Sequence, residues 1–168
     1  GGTWYWNRFP GARCDSESHT YGYTFWEKIY KNWTWKEKYP KQNAILKYLK
    51  YVEKKLDLKK DILFNNKIIS AKYLERKNLW LIKTNKNKVL LCKYLICAVG
   101  SLSSANIPKI KGLNTYEGKY YHTGRWPKKK VNFKNKVVAQ IGTGSSGIQV
   151  APTIAKKVKK LVIFQRTP

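Results

Sequence analysis

An α/β fold is expected for these 168 residues on three grounds. An apolar run at 136–141 leads into a glycine-rich turn, a helical stretch and a second apolar run at 160–164, which is the order of a βαβ unit. Short apolar runs between 61 and 98 alternate with turn residues, as in a β-meander. Between 41 and 56, Ile45, Leu49, Val52 and Leu56 recur at spacings of four, three and four. They mark one face of a helix whose other face carries Lys47, Lys50 and Lys54.

Taken in order, residues 1–23 mix Gly, Pro, aromatic and polar types without helical or strand period, which describes an ordered loop packed by its own rings. The helix over 41–56 follows Pro40. Strands are expected at 62–64, 67–73, 79–84, 89–91 and 94–98, the last buried and ending at Gly100. Residues 101–135 are rich in Pro, Gly and aromatics and read as a connection between two domains. A strand at 136–141, a turn at 142–147, a helix at 146–157 and a strand at 160–164 complete the chain.

Lys and Arg number 35 against 9 Asp and Glu, a formal charge of +26, and 42% of residues are apolar. That apolar content supplies a core and argues against disorder. No apolar run approaches the roughly 20 residues of a membrane helix, and Trp4, Tyr5 and Trp6 beside Arg8 do not make a signal peptide, so a soluble protein is expected. Cys14, Cys92 and Cys97 have no CxxC spacing; neither a disulfide framework nor a metal site is suggested, and a cytoplasmic setting fits. The positive charge is spread from Lys28 to Lys160 rather than gathered on one face. It is read as a solvated surface with no specific nucleic-acid partner, and a basic nucleic-acid-binding module stands as the alternative. The densest clusters, at 128–130 and 156–160, are expected beside the glycine turn, where their potential would attract a phosphorylated ligand. The chain lacks Met and opens on Gly1 and Gly2, so it is read as an internal piece of a longer polypeptide.

The turn itself, Gly142, Thr143, Gly144, Ser145, Ser146 and Gly147, is GxGxxG set between an apolar strand and a helix. In that context each glycine has a task in holding a dinucleotide: Gly142 for the tight turn, Gly144 for close approach to the diphosphate, Gly147 for packing helix on strand. The diphosphate would lie at the positive helix N-terminus. About 20 residues on, where NAD enzymes place a carboxylate, the chain reads Phe164, Gln165, Arg166, Thr167. A guanidinium there suits the extra phosphate of NADP. A surface arginine that happens to follow a strand is the other reading of Arg166.

Three blocks resemble a known family, the flavin-dependent Baeyer–Villiger monooxygenases of the cyclohexanone and phenylacetone monooxygenase type, within the wider flavin-containing monooxygenases. They are the stretch from Gly1 through Thr3, Trp4, Tyr5 and Trp6 to Asp15; the stretch from Tyr116 through Gly118 and His122 to Trp126 and Pro127; and that from Ile141 through Gln149 to Phe164 and Pro168. The second is similar to the family pattern Phe-x-Gly-x-x-x-His-x-x-x-Trp-Pro, with Tyr116 in place of the leading Phe. Its closing Trp126 and Pro127 are similar to the Baeyer–Villiger branch. His122 and Trp126 are read as fixing the path between domains rather than as catalysts.

The resemblance covers essentially the whole chain. It implies two dinucleotide-binding, Rossmann-like domains, both incomplete here, with an inserted β-meander: a partial FAD domain at 1–100, a linker at 101–135 and the start of an NADP domain at 136–168. Thr3, Trp4, Tyr5, Trp6, Tyr21 and Ile68 would contact FAD. Asp15 would sit where flavin and nicotinamide meet and serve as the catalytic residue. Arg13, Cys14, the turn from Gly142 to Gly147, Gln149, Arg166 and Thr167 would contact NADP. For Asp15 two readings stand: a partly desolvated carboxylate with a cationic partner, or the cap of a turn. The implied reaction has NADPH reduce FAD, and one oxygen atom of O2 enters a ketone to give an ester or lactone. Oxidation of amines or sulfides, as in the wider family, is the alternative. The family's first GxGxxG, for FAD, and its catalytic arginine have no counterpart in these residues, so this piece alone is expected to be inactive.

Overall fold

The best-determined helix in the sequence is also the organising one in the computed structural model, which describes residues 1–166. Helix α4 (Gln42–Lys55) buries Ile45, Tyr48 and Val52. Leu49, expected on the core face, is only half-buried. Its place is taken by Tyr48, because the surface facing α4 is aromatic: Tyr23, Trp33 and Trp35 have ring centroids 4.8–6.0 Å from that of Tyr48, and Tyr51, one turn on in α4 itself, adds a ring at 6.5 Å. Tyr48 can be buried there because its hydroxyl accepts the Tyr23 N–H at 2.6 Å.

Burial holds the Tyr48 hydroxyl proton above the ordinary tyrosine value of 10.0, and the Tyr23 N–H offsets this only in part. The folded chain therefore keeps this proton more tightly than the unfolded chain. The stability it contributes is complete below pH 10.0 and is lost as pH rises through and beyond that value. The urea midpoint should fall more steeply above about pH 10 in the wild type than in Tyr48→Phe. Parallel pH profiles of the two would remove this role.

The aromatic opening, 1–23, contains one-turn helices rather than loop throughout, α1 (Thr3–Trp6) and α2 (Ser18–Tyr21), and a third, α3 (Glu27–Tyr30), follows it. A single turn is too short to display a 3.6-residue period, so the pattern was invisible in the sequence. Such turns hold by tertiary contacts. Trp4 Nε1 donates to the Tyr21 hydroxyl, with the rings edge to face at 5.9 Å, and Gln42 Nε2 donates to Trp4 O.

The chain divides into two compact units, one of Leu56–Val99 and one of Gly1–Lys55 with the chain from Gly100 onward. The first is a three-stranded antiparallel sheet of β1 (Ile68–Leu74), β2 (Leu79–Thr84) and β3 (Val89–Cys92), in the order β1-β2-β3. Asn78 and Asn87, both at positive φ, turn the chain between strands, as asparagine tolerates. Tyr73 pairs with Trp80 across the ladder, rings 5.3 Å apart, and Ile82 is buried.

Two expected strands are absent. Residues 62–64 follow a 3₁₀ turn (Leu58–Asp61) and remain irregular. Residues 94–98 form no strand, and Tyr94 and Ile96 are 76% and 86% exposed. Their apolar composition suits a sheet interior, but a strand needs a neighbour to receive its backbone hydrogen bonds, and among the described residues none lies alongside.

In the other unit β4 (Val137–Ile141), α5 (Ser145–Ala155) and β5 (Lys160–Phe164) form the expected βαβ unit. The strands pair in parallel, Val137 opposite Lys160 through Ile141 opposite Phe164. Phe9, Ala12, Val150 and Ile154 form a buried cluster against which Trp126, Phe133, Val138, Val158 and Leu161 pack. The N-terminal loop is therefore laid directly on α5. Lysines 156–160 lie at the far end of α5, about 16 Å along its axis from the glycine turn, not beside it as expected. A helix necessarily separates the residues that begin it from those that end it.

Candidate functional site

The glycine turn joins the C-terminal end of β4 to the N-terminus of α5. Gly142 has φ +97° and its N–H donates to Phe164 O at 2.8 Å, which ties the turn to the end of β5. Only glycine enters that backbone region freely. Gly144 caps α5 in extended geometry, and a Cβ built on it would meet nothing within 4 Å. Its face is open to a ligand. Gly147 is the reverse: a Cβ there would stand 2.6 Å from Gly142 O. Within α5, Ile148 N–H is the first to reach a helical acceptor, Gly144 O at 3.0 Å. The N–H groups of Ser145, Ser146 and Gly147 leave the helix end without intrahelical partners. Together with the helix dipole they place partial positive charge at this end of α5.

The N-terminal loop closes one side of this turn. Gln149, one turn into α5, accepts the Arg13 N–H on Oε1 and donates from Nε2 to Arg13 O, each at 3.1 Å. Its amide is therefore engaged with the loop. Gly11 has φ +82° and lies so close to α5 that a Cβ would fall 2.2 Å from Gln149 O and 2.5 Å from Thr153 Oγ1. On the loop's other side Cys14 N–H donates to Pro40 O, and Gln42 N–H to Ala12 O, both at 2.9 Å. A short antiparallel bridge, Arg13 with Lys41, thus ties the loop to the start of α4, while Gln149 ties it to α5. Asp15 is exposed, and the Ser145 hydroxyl lies 3.4 Å from its Oδ2, long for a hydroxyl bond. Neither the burial nor the ion pair that the first of its two readings would have accompanies Asp15 among the described residues; the loop holds it outward, over the start of α5.

The structure thus brings Arg13, Asp15, Gly142, Thr143, Gly144, Ser145, Ser146, Gly147 and Gln149 together. Cys14 is buried. Arg166 is exposed two residues beyond β5. Thr167 lies outside the described residues. Thr3 and Trp6 are exposed on α1, with Trp4, Tyr5 and Tyr21 half-buried; Ile68 is exposed at the start of β1 in the sheet unit. His122 Nδ1 accepts the Gly124 N–H at 3.1 Å, and Trp126 stacks on Phe133 at 6.2 Å, so both shape the path of the chain into the core. Two residues escaped notice in the sequence. Gly11 reads as one more loop glycine, and only its contact with α5 explains it. Gln140 carried a signal: it is the polar residue in an otherwise apolar strand.

A family description, pyridine nucleotide-disulphide oxidoreductase, matches residues 15–168. The chain belongs to this family. Among family relatives it is 40% identical over 174 residues to the 2-oxo-Delta(3)-4,5,5-trimethylcyclopentenylacetyl-CoA monooxygenase of Pseudomonas putida, covering 100% of this chain and 32% of that protein. It is 43% identical over 166 residues to a cyclohexanone 1,2-monooxygenase of Acinetobacter, covering 99% of this chain and 30% of that one. Among solved structures, a Rhodococcus cyclohexanone monooxygenase bound to NADP+ superposes with a TM-score of 0.90 at 46% identity, covering 100% of this chain and 32% of that one. OTEMO in complex with FAD and NADP superposes with a TM-score of 0.90 at 40% identity, covering 100% and 33%. The chain spans about a third of the length of these relatives. Its homologues across that span include Baeyer–Villiger monooxygenases, as the three sequence blocks implied, and the fold is the α/β arrangement expected.

Proposed function

We propose that this chain forms the NADP-holding turn and part of the flavin surroundings of an FAD- and NADPH-dependent monooxygenase that inserts one oxygen atom of O2 into a ketone, giving an ester or lactone. The observation that carries the reading is the strand–turn–helix geometry at 137–155, with its open Gly144 face, in a chain more than 40% identical to a monooxygenase solved with NADP+.

The residues present fit the dinucleotide. The N–H groups opening α5 would hold its diphosphate, with Gly144 permitting close approach. Arg166, past the end of β5, would clamp the additional phosphate with two parallel N–H donors. Arg13 and Asp15 are held over the start of α5 by the Gln149 clasp, so they are placed to meet the other end of the ligand. For FAD the fit is to its flanks: α1 offers the Thr3 and Trp6 side chains, while Trp4 is locked by Tyr21 and Gln42. The chain has a single GxGxxG, and it is the one assigned to NADP. When bound, the two cofactors supply hydride transfer and oxygen activation. The aromatic loop's contribution is to exclude water from them.

Arg166→Ala should raise KM for NADPH about 10- to 100-fold, the worth of a charge-assisted bidentate contact, and leave KM for NADH unchanged. Steady-state kinetics of the intact protein with both coenzymes tests this; equal effects on the two would remove Arg166 as the discriminating group.

One observation favours a second reading. A phenazine N-monooxygenase of Lysobacter antibioticus is 40% identical over 167 residues, in the same range as ketone-oxidising relatives. N-oxidation is thus compatible with this segment. Substrate-stimulated NADPH consumption by the intact protein, with a cyclic ketone against an aromatic N-heterocycle, separates the two. Stimulation by the heterocycle alone would overturn the ketone reading.

A further inference from the structure

β4 is apolar except at Gln140, whose side chain lies on the half-buried face of the strand together with Val138. Burying a primary amide in a strand costs free energy that Val or Ile would not incur. The structure shows what the amide does there. Gln140 Nε2 donates to Gly142 O at 3.0 Å and to Gly147 O at 3.2 Å, the first and last glycines of the turn. It also lies 3.1 Å from the position a Gly147 Cβ would take, so the absence of a side chain at Gly147 is what admits it. Gln140 Oε1 is buried with no hydrogen-bond partner among the described residues. The benefit of this side chain therefore resides in its two donors, which an apolar residue cannot supply.

We infer that Gln140 is a positioning residue for the dinucleotide, a strap that ties the entry of the glycine turn to the first turn of α5. The inference rests on the assignment of that turn to the diphosphate. Glycines leave the turn many alternative conformations, and each one lost on binding weakens the complex. Tying both carbonyls to one nitrogen removes that freedom beforehand and keeps the N–H groups of α5 aimed at the ligand.

The test uses the intact protein as wild type, Gln140→Met, which preserves length without donors, and Gln140→Val, which suits a strand. NADP binding is measured by titration calorimetry, NADPH kinetics at steady state, and amide hydrogen exchange across 142–147 without added cofactor. Both variants should bind NADP about 5- to 20-fold more weakly, with KM for NADPH raised alike, kcat within about twofold, and faster exchange confined to the turn. NADP affinity within about twofold of wild type in either folded variant would overturn the inference, as would faster exchange throughout the molecule with no preference for 142–147. If the wild type itself fails to bind NADP, the diphosphate assignment falls, while the exchange comparison still decides whether Gln140 restrains the turn.

Discussion

Gly11→Ala should destabilise the protein by about 3 kcal/mol, summing about 1 kcal/mol for a non-glycine residue at positive φ and about 2 kcal/mol for overpacking. The steric part is severe because the added Cβ would sit 2.2 Å from Gln149 O, a backbone atom inside α5, and 2.5 Å from Thr153 Oγ1. A side chain can rotate away from such a contact; a helix backbone moves only with the helix. Loop and helix must then separate, and the reciprocal Arg13–Gln149 bonds lengthen with them. Gly100→Ala is the control, since Gly100 also has positive φ, +75°, but has nothing within 4 Å of the built Cβ. It should cost about 1 kcal/mol from the backbone alone. Urea midpoints of the two variants measure the difference, and equal shifts would show that the loop does not lie tightly on α5.

Gly144→Val and Gly147→Ala should separate binding from stability at a spacing of three residues. At Gly144 an added Cβ meets no protein atom within 4 Å, and φ −67° with ψ −177° suits any residue. Folding should change by no more than about 1 kcal/mol, the cost of a poorer helix cap. NADP affinity should fall on the order of 100-fold, about 2.7 kcal/mol, because the side chain occupies the space through which the diphosphate approaches. Gly147→Ala should weaken both. Its Cβ would stand 2.6 Å from Gly142 O, so helix and turn are forced apart at a cost of about 1–3 kcal/mol, and the N–H groups of α5 lose their aim. Thermal unfolding and NADP titration of each variant are the readouts. Wild-type affinity in a folded Gly144→Val would refute the assignment of the turn.

Much of the site was legible because its chemistry is local in the chain. GxGxxG between an apolar strand and an amphipathic segment brings turn, helix end and strand end together within 30 or so residues, whatever else surrounds them. Asp15 and Arg13 belong to the same site for a reason that spacing does not reveal: the loop reaches α5 through bonds between residues 136 positions apart. Gln149 was expected at the dinucleotide and is found with its amide engaged by Arg13, since a polar residue one turn into a helix can face a ligand or a neighbouring loop equally well. The misread strands at 62–64 and 94–98 have a related cause. Apolar composition states a need for burial, and whether a strand forms depends on a partner edge that composition does not locate.

From the sequence alone came the βαβ order, the helix at 41–56, the three meander strands and the glycine turn, each set by periodicity or by a backbone preference acting over a few residues. Tertiary structure decided which side chains of those elements meet: Tyr48 rather than Leu49 at the aromatic core, Gly11 against the backbone of α5, and Gln140 across the turn. The physical reason is that periodicity assigns a residue to a face, whereas the identity of what covers that face is fixed by contacts between segments distant in the chain.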